Sequence, residues 1–352
     1  MRIRRRLPIL LGVLLVAAAV ALVVVLRKHA PPEPARLLPG ADGFVYVDLK
    51  WMRRAEVIGQ LPPVPHDPDY EQFIEATGFQ FERDLDEAAF AIHSPASGAT
   101  PVRENVPQYR FSEVFVGKIQ GDRLNAYLRK LALSIENYQS VEIYNIPLEG
   151  RTVRVAILGV DTVAASNTDD PQVIRGIVER SRKLASPFGG PALLRQYYKE
   201  VPLASLAWAI LKVNPSADAT SGPGLSFLFS KPATMVASVR YLGAVHFKAV
   251  AFTESEEEAT RVTERVGNFL NLFHSAENTV AAPKPDPDVN QLFDSLKVER
   301  QKNRSTLTAT VPLGFIRKAL AEAPSEVSPP AVDGQAAPAP SKQKSKVAEQ
   351  RR

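Results

Sequence analysis

The chain of 352 residues contains no cysteine. That absence excludes disulfides, thiolate nucleophiles, cysteine metal sites and a lipid-modified cysteine anchor. Histidine is almost as scarce, at five residues: His29, His66, His93, His246 and His274. None pairs with another at metal-ligand spacing, and no His-Glu-x-x-His stretch occurs. Gly-x-Ser-x-Gly is missing too, and with it the common serine-nucleophile turn. Gly222-Pro223-Gly224 lacks the third glycine of a dinucleotide loop and reads as a flexible loop. Asp286-Pro287-Asp288-Val289-Asn290 begins like a calcium loop, but Gln291 and Lys297 stand where glycine and a bidentate glutamate are required. No catalytic residue, metal or cofactor is assigned on these grounds.

A basic excess is lacking from the body of the chain. The formal net charge is +5, from 43 Lys and Arg against 38 Asp and Glu. Residues 1–30 carry six of the bases and no acid, and the last 25 residues carry five bases against Asp333 and Glu349. What is left, residues 31–327, has 32 bases and 36 acids, a net of −4. A nucleic-acid backbone is therefore not an expected partner.

The strongest positive signal is amino-terminal. Arg2, Arg4, Arg5 and Arg6 precede an uncharged run from Leu7 to Leu26, and Arg27, Lys28 and His29 close it. Twenty residues at about 1.5 Å each span about 30 Å, the hydrocarbon thickness of a bilayer. A cleaved secretory signal has a shorter apolar core, of about 7–15 residues, and a small-x-small site after it. Neither is present, so residues 1–29 read as an uncleaved transmembrane anchor. The bias of bases to the short side places the amino terminus in the cytoplasm and the body in the periplasm or outside the cell.

Residues 30–40 contain Pro31, Pro32, Pro34 and Pro39 and read as a semi-extended linker. From about Ser325 to Arg352 the chain is rich in Pro, Ala, Gln, Ser and Lys and short of large apolar residues, the signature of a disordered basic tail. That tail reads as solvated, with attraction to anionic lipid or cell-wall polymer as its alternative use.

Between them strand signals are frequent: Phe44–Leu49, Ala88–His93, Phe111–Val116, Val141–Ile146, Thr152–Leu158 and Thr162–Ser166, the last two around a Gly159-Val160-Asp161 turn. Asp122 and Asp170 are expected helix caps, the latter before Pro171. After a break at Ser186–Pro191 the order partly recurs, with strands at Leu206–Lys212, Thr234–Arg240 and Val245–Phe252. Thr253 and Glu256 suggest a capping box for a long helix with Ala259, Val262, Val266, Phe269 and Phe273 as a buried stripe. A hairpin, Leu296–Arg300 and Ser305–Val311, and a helix around Phe315, Ile316 and Leu320 complete the pattern. The expected class is α+β with antiparallel sheets in two modules, 41–190 and 191–324. A duplication and two unrelated modules fit this order equally well.

The stretch Leu37-Leu38-Pro39-Gly40-Ala41-Asp42-Gly43-Phe44-Val45-Tyr46-Val47-Asp48-Leu49 resembles the start of the exported region in bacterial single-pass envelope proteins of unknown function. Ala156–Ser166, followed by a helix, is similar in style, and the resemblance spans residues 37–322. It implies an anchored, exported α+β protein, and it supplies no catalytic residue.

The densest polar segment is His66-Asp67-Pro68-Asp69-Tyr70-Glu71. Its imidazole and carboxylates suit either a divalent cation and acid–base chemistry or, more simply, a helix cap by Asp67 or Asp69. Pro62-Pro63-Val64-Pro65 reads as a surface turn, with a polyproline helix as the alternative. Asn303-Arg304-Ser305 is a glycosylation sequon better suited to the turn of the last hairpin. Trp51 and Trp208 read as core. The expected function is non-catalytic binding or scaffolding, with the bilayer held through residues 7–26 and an envelope protein or polymer as partner. The alternatives are an envelope hydrolase using the carboxylates near His66 and a hydrophobic-ligand carrier, which needs an apolar pocket.

Overall fold

The computed structural model describes residues 30–54, 66–93, 110–148, 150–183, 189–215, 226–280 and 287–321. The apolar run 7–26, the Pro62–Pro65 segment, Gly222-Pro223-Gly224 and the basic tail lie outside them. Among the described residues no helix is long and apolar enough to cross a membrane.

Runs of strands are separated by helices along the described chain. The strands are β1 (Gly43–Asp48), β2 (Leu85–His93), β3 (Arg110–Gly117), β4 (Ser134–Tyr138), β5 (Val141–Leu148) and β6 (Arg151–Ile157), followed by β7 (Thr162–Ser166), β8 (Ala207–Val213), β9 (Ala233–Tyr241), β10 (Val245–Phe252), β11 (Lys297–Gln301) and β12 (Arg304–Val311). All lie in one 12-stranded sheet in the order β11-β12-β10-β9-β8-β1-β2-β3-β7-β6-β5-β4. Every pairing is antiparallel. The fold class is therefore α+β around a large antiparallel sheet. The strands of both expected modules share that sheet through the β1–β8 pairing, with Phe44 opposite Ile210 and Tyr46 opposite Trp208.

Helices are α1 (Glu33–Leu37), α2 (Leu49–Arg54), α3 (Pro68–Thr77), α4 (Phe81–Asp84), α5 (Gly121–Leu131), α6 (Pro171–Arg182), α7 (Ala192–Tyr197), α8 (Glu256–Val280), α9 (Pro287–Ser295) and α10 (Leu313–Ala321). Because strand side chains alternate between faces, the sheet carries packed cores on both of its sides. On one face Phe44, Ala89, Ala91, Val114, Ile143 and Ile210 pack against Ala35 and Leu37 of α1, Ile174 and Ile177 of α6, and Leu194 of α7. On the other, Leu128 of α5 meets Tyr144, Val155 and Val163, and Val262 of α8 meets Val213, Ala233 and Ala251.

Several local expectations hold, and the departures have physical causes. Asp170 caps α6, its Oδ1 accepting the Gln172 N–H at 2.9 Å, and the Lys302–Asn303 turn closes the last hairpin, with Lys302 at φ +54°. Residues 30–40 are not a spacer. Ala35, Leu37 and Leu38 are 0–3 % exposed, so a short helix with an apolar face docks on the sheet despite its prolines. Asp122 lies inside the first turn of α5 rather than at its cap, because the helix starts at Gly121 with Gln120 in the cap position. The cap of α8 is Ser255, whose Oγ accepts the Glu258 N–H at 3.2 Å. Thr253 is turned instead toward the carbonyls of Ser255 and Asn303, at 2.9 Å each. Phe269 is not in the buried stripe. It is 43 % exposed against Phe227, while the side chain of Phe273 lies outside the described set. Strand β4, which reads SIENY, gave no signal in sequence, since an edge strand with an open face needs no apolar alternation.

Candidate functional site

Three places gather polar or aromatic side chains in ways that packing alone does not demand. The first is the segment at His66. Asp67 is the cap of α3, its Oδ1 accepting the Tyr70 N–H at 2.7 Å, with Pro68 at the first helical position and Gly78 closing the helix at φ +71°. His66 turns away from Asp67 and Asp69. Its Nε2 lies 3.2 Å from Glu82 Oε1 on α4. The Tyr70 hydroxyl donates to Glu82 Oε2 and accepts the Phe81 N–H, both at 2.8 Å. Burial and the Glu82 hydrogen bond push that hydroxyl up to about 12. The expected set therefore does not form as read: Asp67 caps a helix, and His66 meets Glu82, which ties α3 to α4. Among the described residues no three His, Asp or Glu groups are placed to hold a metal ion.

Replacing Asp67 with Ala is expected to cost about 0.5–2 kcal/mol, and Asn in its place to recover most of it, since an amide oxygen still accepts the backbone N–H. Thermal unfolding of the three proteins measures this. Calcium or magnesium is expected to leave the midpoint unchanged. A metal-dependent rise that disappears in Asp67→Asn would overturn the capping role.

The second place is the seam between β1 and β8. Tyr46 and Trp208 stack with centroids 5.5 Å apart, and Tyr198 meets Trp208 edge-on at 5.4 Å. With Asp48 and the 201–205 turn they line a cavity of about 150 Å³. The Tyr46 hydroxyl donates to Glu87 Oε2 at 2.9 Å, and burial together with the Glu87 charge raises it well above its ordinary value. Glu87 is itself raised, first by burial and then by the nearby Asp48 and Asp86. Trp208 Nε1 is buried without a hydrogen-bond partner, and Ala204 on the rim holds φ +58°. Trp208 is core, as expected, but Trp51 is 46 % exposed.

The third place is a pair of clefts where β1 ends, β2 begins and β3 ends. Asp48 caps α2 through the Trp51 N–H at 2.8 Å, which sets Lys50, Arg53 and Arg54 on one short turn of helix. At its start β2 shifts register against β3 between Leu85 and Glu87, and the Lys118 N–H reaches the Asp84 carbonyl at 2.9 Å. The result is a cleft of about 370 Å³ lined by Lys50, Arg53, Arg54, Lys118 and Asp86. A neighbouring one of about 590 Å³ shares Asp86 and Lys118 and continues past Arg83, Asp84, Gly117 and Asp161. Arg53 donates to the Leu85 carbonyl at 2.6 Å and to Asp86, and Lys50 lies 3.5 Å from the same carboxylate. Among the described residues Arg54 and Lys118 make no ion pair. The smaller cleft therefore carries four cations against one carboxylate, in a body that is acidic as a whole. Its residues come from three separate segments. The only trace in sequence is Lys50-Trp51-Met52-Arg53-Arg54, which reads as the end of a strand when taken alone.

No known family profile matches the chain, and no curated protein matches it in sequence. Among solved structures it is similar to three crystal forms of TP0453. Form III gives a TM-score of 0.46 at 8 % identity, covering 83 % of this chain and 98 % of that one. Form IV gives 0.43 at 10 %, covering 83 % and 97 %. Form I gives 0.40 at 10 %, covering 83 % and 98 %. So distant a likeness bears on neither activity nor partner.

Proposed function

We propose that this chain is a single-pass, amino-terminally anchored envelope protein whose exported body works by binding or scaffolding rather than by catalysis. The observation that carries the reading is the Leu7–Leu26 run, flanked by Arg2, Arg4, Arg5 and Arg6 on one side and Arg27 and Lys28 on the other. A run of that length fills the bilayer core, and its flanking charge orients it with the amino terminus inside. The body then meets an envelope protein or polymer through its sheet faces and clefts.

The body is further read as two related units, 41–190 and 191–324, joined back to back at the β1–β8 pair. In each, three consecutive strands form a meander. A helix follows, and the chain returns so that its last strand, β7 or β12, pairs with the third, β3 or β10. The hydrolase alternative draws little from His66, whose neighbours are engaged in capping and in holding α3 to α4. The carrier alternative has a pocket of only about 150 Å³ at the β1–β8 seam, small for a lipid chain.

Protease added to intact spheroplasts is expected to digest the body and leave a short membrane-protected fragment. Complete protection would overturn the orientation. Replacing Arg4, Arg5 and Arg6 by Glu is expected to weaken or invert it.

A further inference from the structure

We propose that the cleft formed by Lys50, Arg53, Arg54 and Lys118 binds the anionic phosphate headgroups of the bilayer in which the chain is anchored. This rests on the anchor reading above and adds to it a ligand, a site and a docked orientation of the body.

Three observations converge. The cleft is the one place among those described where four cations face a single carboxylate. Asp86 is shared between Arg53 and Lys50, so Arg53 is held in position with its charge only partly compensated. Arg54 and Lys118 are exposed and make no ion pair among the described residues, although the Asp84 carboxyl is held below its ordinary value by the Arg83 hydrogen bond first and by the Lys118 charge in lesser part. A guanidinium fork and an ammonium group set around a cavity suit a phosphate with several acceptor oxygens.

The second observation is where the chain arrives. Pro32 lines the same small cavity as Asp48, the cap of the helix that carries Lys50, Arg53 and Arg54. The six residues from Leu26 to Pro32 reach at most about 20 Å when fully extended. Pro32 therefore holds the body within about 20 Å of the membrane surface, and it lies close to the end of the sheet that bears the cleft. A soluble phosphate would bind such a cleft at either end of the sheet. A headgroup site has to lie within reach of the membrane, as this one does.

The third is Trp51. It is 46 % exposed on α2, between Lys50 and Arg53. An indole has an apolar body and a polar edge and favours the headgroup level of a bilayer, so an exposed tryptophan among cations matches that layer. The neighbouring cleft shares Asp86 and Lys118 and includes Asp161, whose carboxylate can accept from the hydroxyl or amine part of the same headgroup.

Trp51 also reports on the test, because the chain has two tryptophans and Trp208 is buried at 3 % exposure. Full-length protein is placed in nanodiscs of phosphatidylcholine alone or with phosphatidylglycerol added. The expected result is a blue shift of emission and lower accessibility to acrylamide only when phosphatidylglycerol is present. Both effects are expected to disappear in about 1 M salt, where the screening length falls to about 3 Å. They are also expected to be lost in the double variant Arg54→Gln, Lys118→Gln, whose side chains are exposed and take no part in the core, with an unchanged thermal midpoint as the check on folding. An unchanged Trp51 signal in protein that co-elutes with the nanodiscs would overturn the cleft proposal and leave the anchor standing. If glycerol phosphate in solution produced the same change in phosphatidylcholine nanodiscs, the ligand would be a soluble phosphate and the lipid source would be overturned. Failure to co-elute with nanodiscs at all would overturn the anchor, and the headgroup site with it.

Discussion

Replacing Phe44 with alanine is expected to destabilise the body by about 3–5 kcal/mol, the range for truncating a buried aromatic. Phe44 is fully buried in β1, opposite Ile210 of β8 and Ala91 of β2. Its neighbours cannot collapse into the space easily. They are strand residues held in register from both sides, and Ala91 is too small to fill it. Packing loss therefore adds to the lost transfer free energy. The location gives the variant a second use. β1 and β8 are the strands through which the two halves of the sheet join, so a cavity there weakens the junction as well as the core. Urea unfolding followed by circular dichroism is expected to show one transition with a lower midpoint and an unchanged slope. A loss below about 1 kcal/mol would mean that Phe44 is not the packing centre its burial implies. Two separate transitions would show that the halves fold independently and that the seam is a contact between finished domains.

Gly117→Ala is expected to cost the upper part of the overpacking range, about 3 kcal/mol, although it adds only a methyl group. A Cβ at Gly117 would collide with the Asp84 carbonyl and lie 3.1 Å from Leu85 Cα. Both are backbone atoms at the start of β2, and no rotamer change moves them aside. The strand pair must part where β2 shifts register, and with it goes the Lys118 N–H bond to Asp84. Since Asp86 and Lys118 line both clefts, the same change should displace the cation set as it lowers stability. Gly40→Ala is the control. Nothing lies within 4 Å of a Cβ built there, so its effect should fall within about 0.5 kcal/mol. Chemical denaturation of both variants measures the difference, and equal costs would remove the steric argument.

Most strands were legible from sequence because each is a short β-branched and aromatic run bounded by turn residues, as Thr162–Ser166 is behind Gly159-Val160-Asp161. Helix caps were legible where chemistry and geometry coincide: Asp67 and Asp170 each stand before a proline that can only open a helix. They were misplaced where two polar residues compete. Ser255 rather than Thr253 caps α8, because the hairpin turn at Asn303 draws the Thr253 hydroxyl away. The proline-rich stretch 30–40 misled for a similar reason. Proline content describes an isolated chain, whereas Ala35, Leu37 and Leu38 gain enough by burial to order it.

The site was less visible than the fold. His66, Asp67 and Asp69 were prominent because they are adjacent in the chain, yet the partner that His66 meets is Glu82, 16 residues on. The cationic cleft went unread because Lys50, Asp86 and Lys118 are neighbours only after β1, β2 and β3 have paired. Adjacent-residue chemistry (strand and helix type, turn glycines, caps before proline, the apolar amino-terminal run) is a matter of local sterics and hydrophobic period, and it was present in the chain before any folding argument. Strand order, the joining of all twelve strands through β1 and β8, and the convergence of four cations on one carboxylate depend on long-range pairing. A strand's pattern says which face is buried but not which edge it will find. Only the tertiary structure could decide those.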